Sequence, residues 1–137
     1  MGRMTTRKET RQNMKALIAA LMMVESGGDA TAIGDGGAAV GVLQIHPAIV
    51  QDLNRWGYAF KLVDRLDPVK SVRMAEIWLT RWCGSGASYE KLARCWNGGP
   101  RGYAKASTLA YWKKVRLELK RQGIERLLAL PAGGGKI

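Results

Sequence analysis

Residues 14–28 read MKALIAALMMVESGG, and their spacing decides the fold class. Met14, Leu17, Ile18, Leu21 and Met22 recur at helical intervals on one face, which predicts an amphipathic helix rather than a strand. Upstream, Thr6-Arg7-Lys8-Glu9 fits a capping box, so this helix should begin near Arg7 and end at Gly27 and Gly28. The apolar run is about as long as a signal h-region, but its periodicity and its charged lead argue against a signal peptide. No stretch reads as a transmembrane span. Glu25 is the residue that does not suit an ordinary helix face. It follows Met22, Leu21 and Ile18 by three, four and seven positions, which places a carboxyl among apolar side chains. Desolvation and the C-terminal end of the helix dipole would both favour its neutral form, as a general acid requires. A carboxylate frayed into solvent, or paired with one of the many arginines, is the alternative.

Downstream, Asp29 to Gln44 is rich in Gly, Ala and small polar residues, and Gly34-Asp35-Gly36-Gly37 signals a tight turn between Ala32-Ile33 and Val40 to Ile45. This predicts a loop or short irregular hairpin over residues 29–45. Pro47 can start a helix towards Trp56, and Asp67-Pro68 starts another, with Asp as N-cap and Pro in the first turn. Val72, Ala75, Leu79 and Trp82 mark its buried face. Ser88 can cap a short helix to about Trp96, ended by Asn97-Gly98-Gly99-Pro100, and a last helix should begin near Thr108 around Leu109, Trp112, Val115 and Leu119. The expected fold is mainly α, with five to six helices and a small β or loop region at residues 29–45. A single domain is expected over residues 1–130, followed by a glycine-rich, disordered tail at 131–137.

At 137 residues, 47% of them apolar, the chain can bury a core without a disulfide or metal scaffold. Its 22 Lys and Arg against 11 Asp and Glu give a formal charge of +11, a field that draws in anionic polymers such as nucleic acid, anionic membrane or bacterial wall. The basic residues are spread along the chain rather than gathered into one arm, so no specific nucleic-acid partner is read from them. On the last helix, Lys113, Lys114, Arg116, Lys120, Arg121 and Arg126 form either a solvated face or an adhesive one. Cys83 and Cys95 could be bridged, free or simply buried, and buried free thiols are the expectation. Of the five tryptophans, Trp78 and Trp82 should pack inside, whereas Trp56 and Trp96 are candidates for the wall of a sugar-binding cleft.

Asp35 alone reads as a turn residue bonded to its own backbone. Together with Glu25 it acquires a second meaning. Glycoside hydrolysis needs an acid to protonate the leaving oxygen and a carboxylate to attack or stabilise the oxocarbenium-like centre. A helix-borne acid and an ionised carboxylate in a polar turn would divide those roles.

ESGG (25–28), GDGGAAVGVLQI (34–45), ARCWNGGPRGY (93–103) and TLAYWKKV (108–115) together resemble the invertebrate-type, or destabilase, lysozymes. The first two blocks are more distantly similar to soluble lytic transglycosylases and goose-type lysozymes. The resemblance implies a lysozyme-like fold and cleavage of peptidoglycan glycan strands, with Glu25 as acid and Asp35 as nucleophile or stabiliser. It also implies a sugar cleft along Ser26, Gln44, Ile45, His46, Trp96, Asn97, Gly98 and Tyr111, with Thr108 on the helix beside it. No metal or cofactor is implied. The expected molecule is a monomer, drawn to anionic wall polymers by its charge and made in the cytoplasm, then released to the wall as a phage-type or virion-associated lysin. Two departures stand out: the family is dense in cysteine, and Trp96 stands where it often has His. A lytic transglycosylase using Glu25 alone, and a non-catalytic basic protein that binds wall or nucleic acid, are the competing readings.

Overall fold

The computed structural model describes residues 7–84 and 86–123. Within them the chain forms α1 (Arg7–Ser26), β1 (Ile33–Gly34), β2 (Ala39–Val40), α2 (Pro47–Arg55), α3 (Pro68–Cys83), α4 (Tyr89–Gly98) and α5 (Leu109–Arg121), joined in places by short 3-10 turns. The fold is mainly α with one two-stranded sheet, as the periodicity predicted. The Thr6 capping box, Arg126 and the tail from residue 131 lie outside the described residues. No helix among the described residues is long and apolar enough to cross a membrane.

The helix boundaries follow from local chemistry. Gly27 donates its N–H to the Met23 carbonyl at 3.0 Å and closes the last turn of α1. Asp67 caps α3 through Oδ1, which accepts from the N–H groups of Val69 at 2.9 Å and Lys70 at 3.3 Å. Ser88 caps α4 by accepting from Lys91 N at 3.1 Å. A 3-10 turn at Leu62–Leu66, between α2 and α3, was not foreseen.

Chain contacts divide the protein into two compact units, Met22–Trp78 and the segments on either side of it. In the outer unit, Leu17, Ile18 and Leu21 of α1 are buried, together with Leu92 and Cys95 of α4 and Val115 and Leu119 of α5. Cys83 and Cys95 are both free and buried. Burial, together with the neighbouring Cys95 thiol, pushes the Cys83 thiol up to about 12. In the central unit the buried side chains are those of Val40, Val42, Leu43 and Ile45 in the loop region, Val50 and Leu53 of α2, and Met74, Ala75 and Trp78 of α3.

Two expectations are corrected by the burial pattern. Trp82, placed inside by its spacing from Trp78, is 45% exposed although the next residue, Cys83, is buried, so the end of α3 packs on its Cys83 side. Leu109 is exposed because it points away from the face that Thr108, Val115 and Leu119 share. Trp96, a candidate for the cleft wall, is buried on α4.

Candidate active site

The loop after α1 is organised by backbone pairing. β1 and β2 are antiparallel, with Ile33 opposite Val40 and Gly34 opposite Ala39, and Ile45 bridges to the other side of Val40, also antiparallel. β1 and the Ile45 segment therefore run in the same direction on either side of β2. The residues that follow them, Asp35 and His46, emerge at the same end. Gly41 makes this path possible: it donates to the Ala32 carbonyl at 2.8 Å, and a Cβ there would collide with the Arg65 carbonyl.

Two side chains lock the loop. The Gln44 amide donates from Nε2 to the carbonyls of Ala32 at 3.1 Å and Gly41 at 3.0 Å. Its Oε1 would lie 2.5 Å from a Cβ at position 34, which keeps that position glycine. Arg65, buried in the 3-10 turn before α3, donates to the carbonyls of Leu62, Ala38 and Ile45 at 3.0, 2.9 and 2.9 Å. One guanidinium thus holds both the end of the Asp35 turn and the residue that precedes His46. Sequence reasoning missed Arg65, since nothing in Leu62-Val63-Asp64-Arg65-Leu66 marks its charge as buried.

Asp35 and Gln44 both adopt left-handed backbone conformations, with φ of 49° and 53°. Such a conformation is common for Asp in turns but costs a longer side chain about 1 kcal/mol or more. At Gln44 the two amide bonds offset it. The Asp35 carboxylate does not bond back to its own turn. Its Oδ2 lies 2.9 Å from His46 Nε2, and both side chains are substantially exposed, 69% for Asp35 and 48% for His46. Asp29, in the same loop, behaves differently. Its Oδ1 accepts from the Thr31 N–H and hydroxyl at 2.9 and 2.8 Å, which holds that carboxyl below the usual range.

Glu25 lies half-buried in the last turn of α1. The residue after it is anchored: the Ser26 hydroxyl lies 2.7 Å from the Val42 carbonyl and 3.2 Å from that of Met22, while Oγ accepts from Gly28 N at 3.1 Å. Ser26 therefore ties the end of α1 to the chain between β2 and Gln44. Its hydroxyl is engaged within the protein, and the Ile45 side chain is fully buried.

The remaining candidates belong to the outer unit. Asn97 is exposed and Gly98 half-buried at the end of α4, and Tyr111 is half-buried on α5. Lys105 Nζ donates to the Gly98 carbonyl at 2.7 Å. The ARCWNGGPRGY block is organised by Arg94, another buried charge that sequence reasoning did not single out. Its guanidinium reaches Glu90 at 2.7 Å, the Thr108 hydroxyl at 2.8 Å and the Lys105 carbonyl at 3.1 Å, and it lies over the Tyr103 ring at 4.8 Å. Thr108 is buried, with Oγ1 also 2.8 Å from the Gly102 and Lys105 carbonyls. Trp56, the other cleft-wall candidate, belongs instead to the central unit and is half-buried just after α2.

Comparison with known proteins gives two matches. Residues 4–118 match the transglycosylase SLT domain. A lysozyme from Magallana gigas is 36% identical over 78 residues, a stretch that covers 55% of this chain and 56% of that protein. The chain therefore spans little more than half the length of that relative. No solved structure matches. The first match takes in α1 with Glu25, the loop with Asp35, Gln44 and His46, and nearly all of α5, which is most of the described fold: the chain belongs to the transglycosylase SLT domain family, within the lysozyme-like group.

Proposed function

We propose that this protein is a peptidoglycan-cleaving muramidase that breaks the β-1,4 bond between N-acetylmuramic acid and N-acetylglucosamine, with Glu25 as proton donor and Asp35 as nucleophile or stabiliser. Membership of the SLT family and the lysozyme relative support peptidoglycan as substrate. The assignment of roles is carried by the contrast between two carboxylates of one compact unit. Glu25 is half-buried at the C-terminal end of a helix, and Asp35 is exposed in a polar turn beside an imidazole, unlike settings of the kind that divide the roles of two carboxylates. Glu25 would protonate the glycosidic oxygen as the C–O bond breaks, and Asp35 would meet the positive charge developing at the anomeric carbon. Water then completes the reaction, giving up a proton to the Glu25 carboxylate.

The SLT match also favours a second reading, in which Glu25 alone acts as acid and then base while a muramyl hydroxyl closes an anhydro ring. Mass spectrometry of digested, purified sacculi separates the two. The hydrolase reading expects reducing muramic ends and a loss of at least about 100-fold in Glu25→Gln, the scale of general acid catalysis. Asp35→Asn should lose at least about tenfold. Anhydro ends alone, with Asp35→Asn fully active, would establish the transglycosylase instead. Wild-type cleavage rates in Glu25→Gln would overturn both, and wall binding by wild-type protein without any cleavage would leave a non-catalytic basic binder.

A further inference from the structure

We propose that His46 is a positioning residue that holds the Asp35 carboxylate in its working orientation, so that turnover depends on the imidazole although it exchanges no proton with substrate. The proposal rests on Asp35 acting in the reaction. An ionised carboxylate only accepts hydrogen bonds, so at 2.9 Å from Oδ2 the His46 Nε2 carries the proton whether the ring is neutral or charged. Asp35 needs such a partner. It is flanked by Gly34, Gly36 and Gly37, its side chain is largely exposed, and unlike Asp29 it gains no hold from its own turn. Left alone, its carboxylate would sample several rotamers.

His46 is suited to the task because its own backbone is fixed from both sides. Ile45 N donates to the Val40 carbonyl at 3.1 Å, the Ile45 carbonyl accepts from both Val40 N and buried Arg65, and Pro47 begins α2 directly after. His46 occupies the N-cap position of α2 in an extended conformation, yet its side chain makes no capping bond. The ring is directed to Asp35 and not to the helix it precedes. An anchored donor facing an otherwise loose acceptor is the arrangement by which a supporting residue fixes a reacting group, and misplacement by about 1 Å can cost as much as 100-fold.

The test uses the full chain acting on soluble peptidoglycan oligomers. His46→Ala should lower kcat about tenfold with KM and the thermal midpoint unchanged, since the ring supports neither the cap nor the core. His46→Gln, whose amide can donate to the same oxygen, should recover most of the rate. In an Asp35→Asn background, adding His46→Ala should cause no further loss. Wild-type kcat in His46→Ala, while Asp35→Asn is impaired, would overturn the positioning role alone. So would losses that multiply in the double variant, or a drop in thermal midpoint that His46→Gln does not restore. Full activity in Asp35→Asn would overturn the catalytic reading of Asp35, and this proposal with it.

Discussion

Tyr89 is buried at the start of α4, and its hydroxyl meets no hydrogen-bond partner among the described residues. An unsatisfied buried hydroxyl costs about 1 kcal/mol or more, so Tyr89→Phe should stabilise the protein by about 1 kcal/mol, read from urea midpoints at pH 7. The same burial raises the Tyr89 phenol to about 12, and Cys83 also stands at about 12 for the related reason that its thiol is desolvated. Both groups lose their proton more readily in the unfolded chain, where the ordinary values are 10.0 and 9.0. The unfolded state therefore binds fewer protons than the native state above pH 9. Stability is fully present below that pH and falls as pH rises, by up to about 1.4 kcal/mol per pH unit for each group. Urea midpoints measured from pH 8 to 11 should decline from pH 9, and Tyr89→Phe should remove the steepening above pH 10. A flat profile would mean that these groups are hydrated in the native protein. At this scale the sequence was only partly legible. The position of Glu25 on an apolar helix face follows from counting residues, but the approach of His46 to Asp35 requires two strand-like segments to leave β2 in one direction, which no local pattern encodes.

The loop from Asp29 to His46 depends on a side chain borrowed from outside it. Arg65 gives three backbone carbonyls their donors, two of them in the loop, and it does so from a buried position. Arg65→Met would fill similar space but withdraw one donor from each of those carbonyls, leaving that of Ile45 its bond from Val40 N. The expected cost is about 3 kcal/mol, with the loop loosened before the helices are lost. Hydrogen exchange should report it: the Val40 and Ile45 amides should lose protection in the variant while the amides of α3 keep theirs. Equal loss in both would indicate global unfolding and a different role for Arg65. Helices were easier to read than this loop because each carries its own signals, such as Asp67 before Pro68 or Ser88 before α4, and those bonds are made within three residues. Contacts such as Arg65 to Ala38 join residues 27 positions apart, and Arg94 to Thr108 joins residues 14 apart. Trp82 and Leu109 show the converse. Helical spacing shows which residues share a face but not which part of that face is covered.

Across the whole molecule, the formal charge is +11. Asp52, Asp64, Glu90 and Glu118 already face Arg55, Lys70, Arg94 and Arg121 respectively. The surplus is carried by exposed side chains such as Arg11, Lys15, Lys113, Lys114 and Arg116. Since these lie on different helices, an attraction to an anionic wall, the partner proposed for this charge, should come from the summed field more than from any one patch. Such a field is screened over about 30 Å at 0.01 M salt but only about 8 Å at 0.15 M. Association of the Glu25→Gln variant with sacculi, followed by cosedimentation so that cleavage does not intervene, should therefore weaken at least about tenfold across that range. At low salt, replacing Lys113, Lys114 and Arg116 by Gln should weaken association about as much as replacing Arg11, Lys15 and Arg73, because each set removes three charges from the same total. Binding insensitive to salt would show that wall capture rests on sugar contacts alone. If only the α5 set mattered, the basic face of α5 would be a docking surface in its own right, and the charge of the rest of the chain would serve another end.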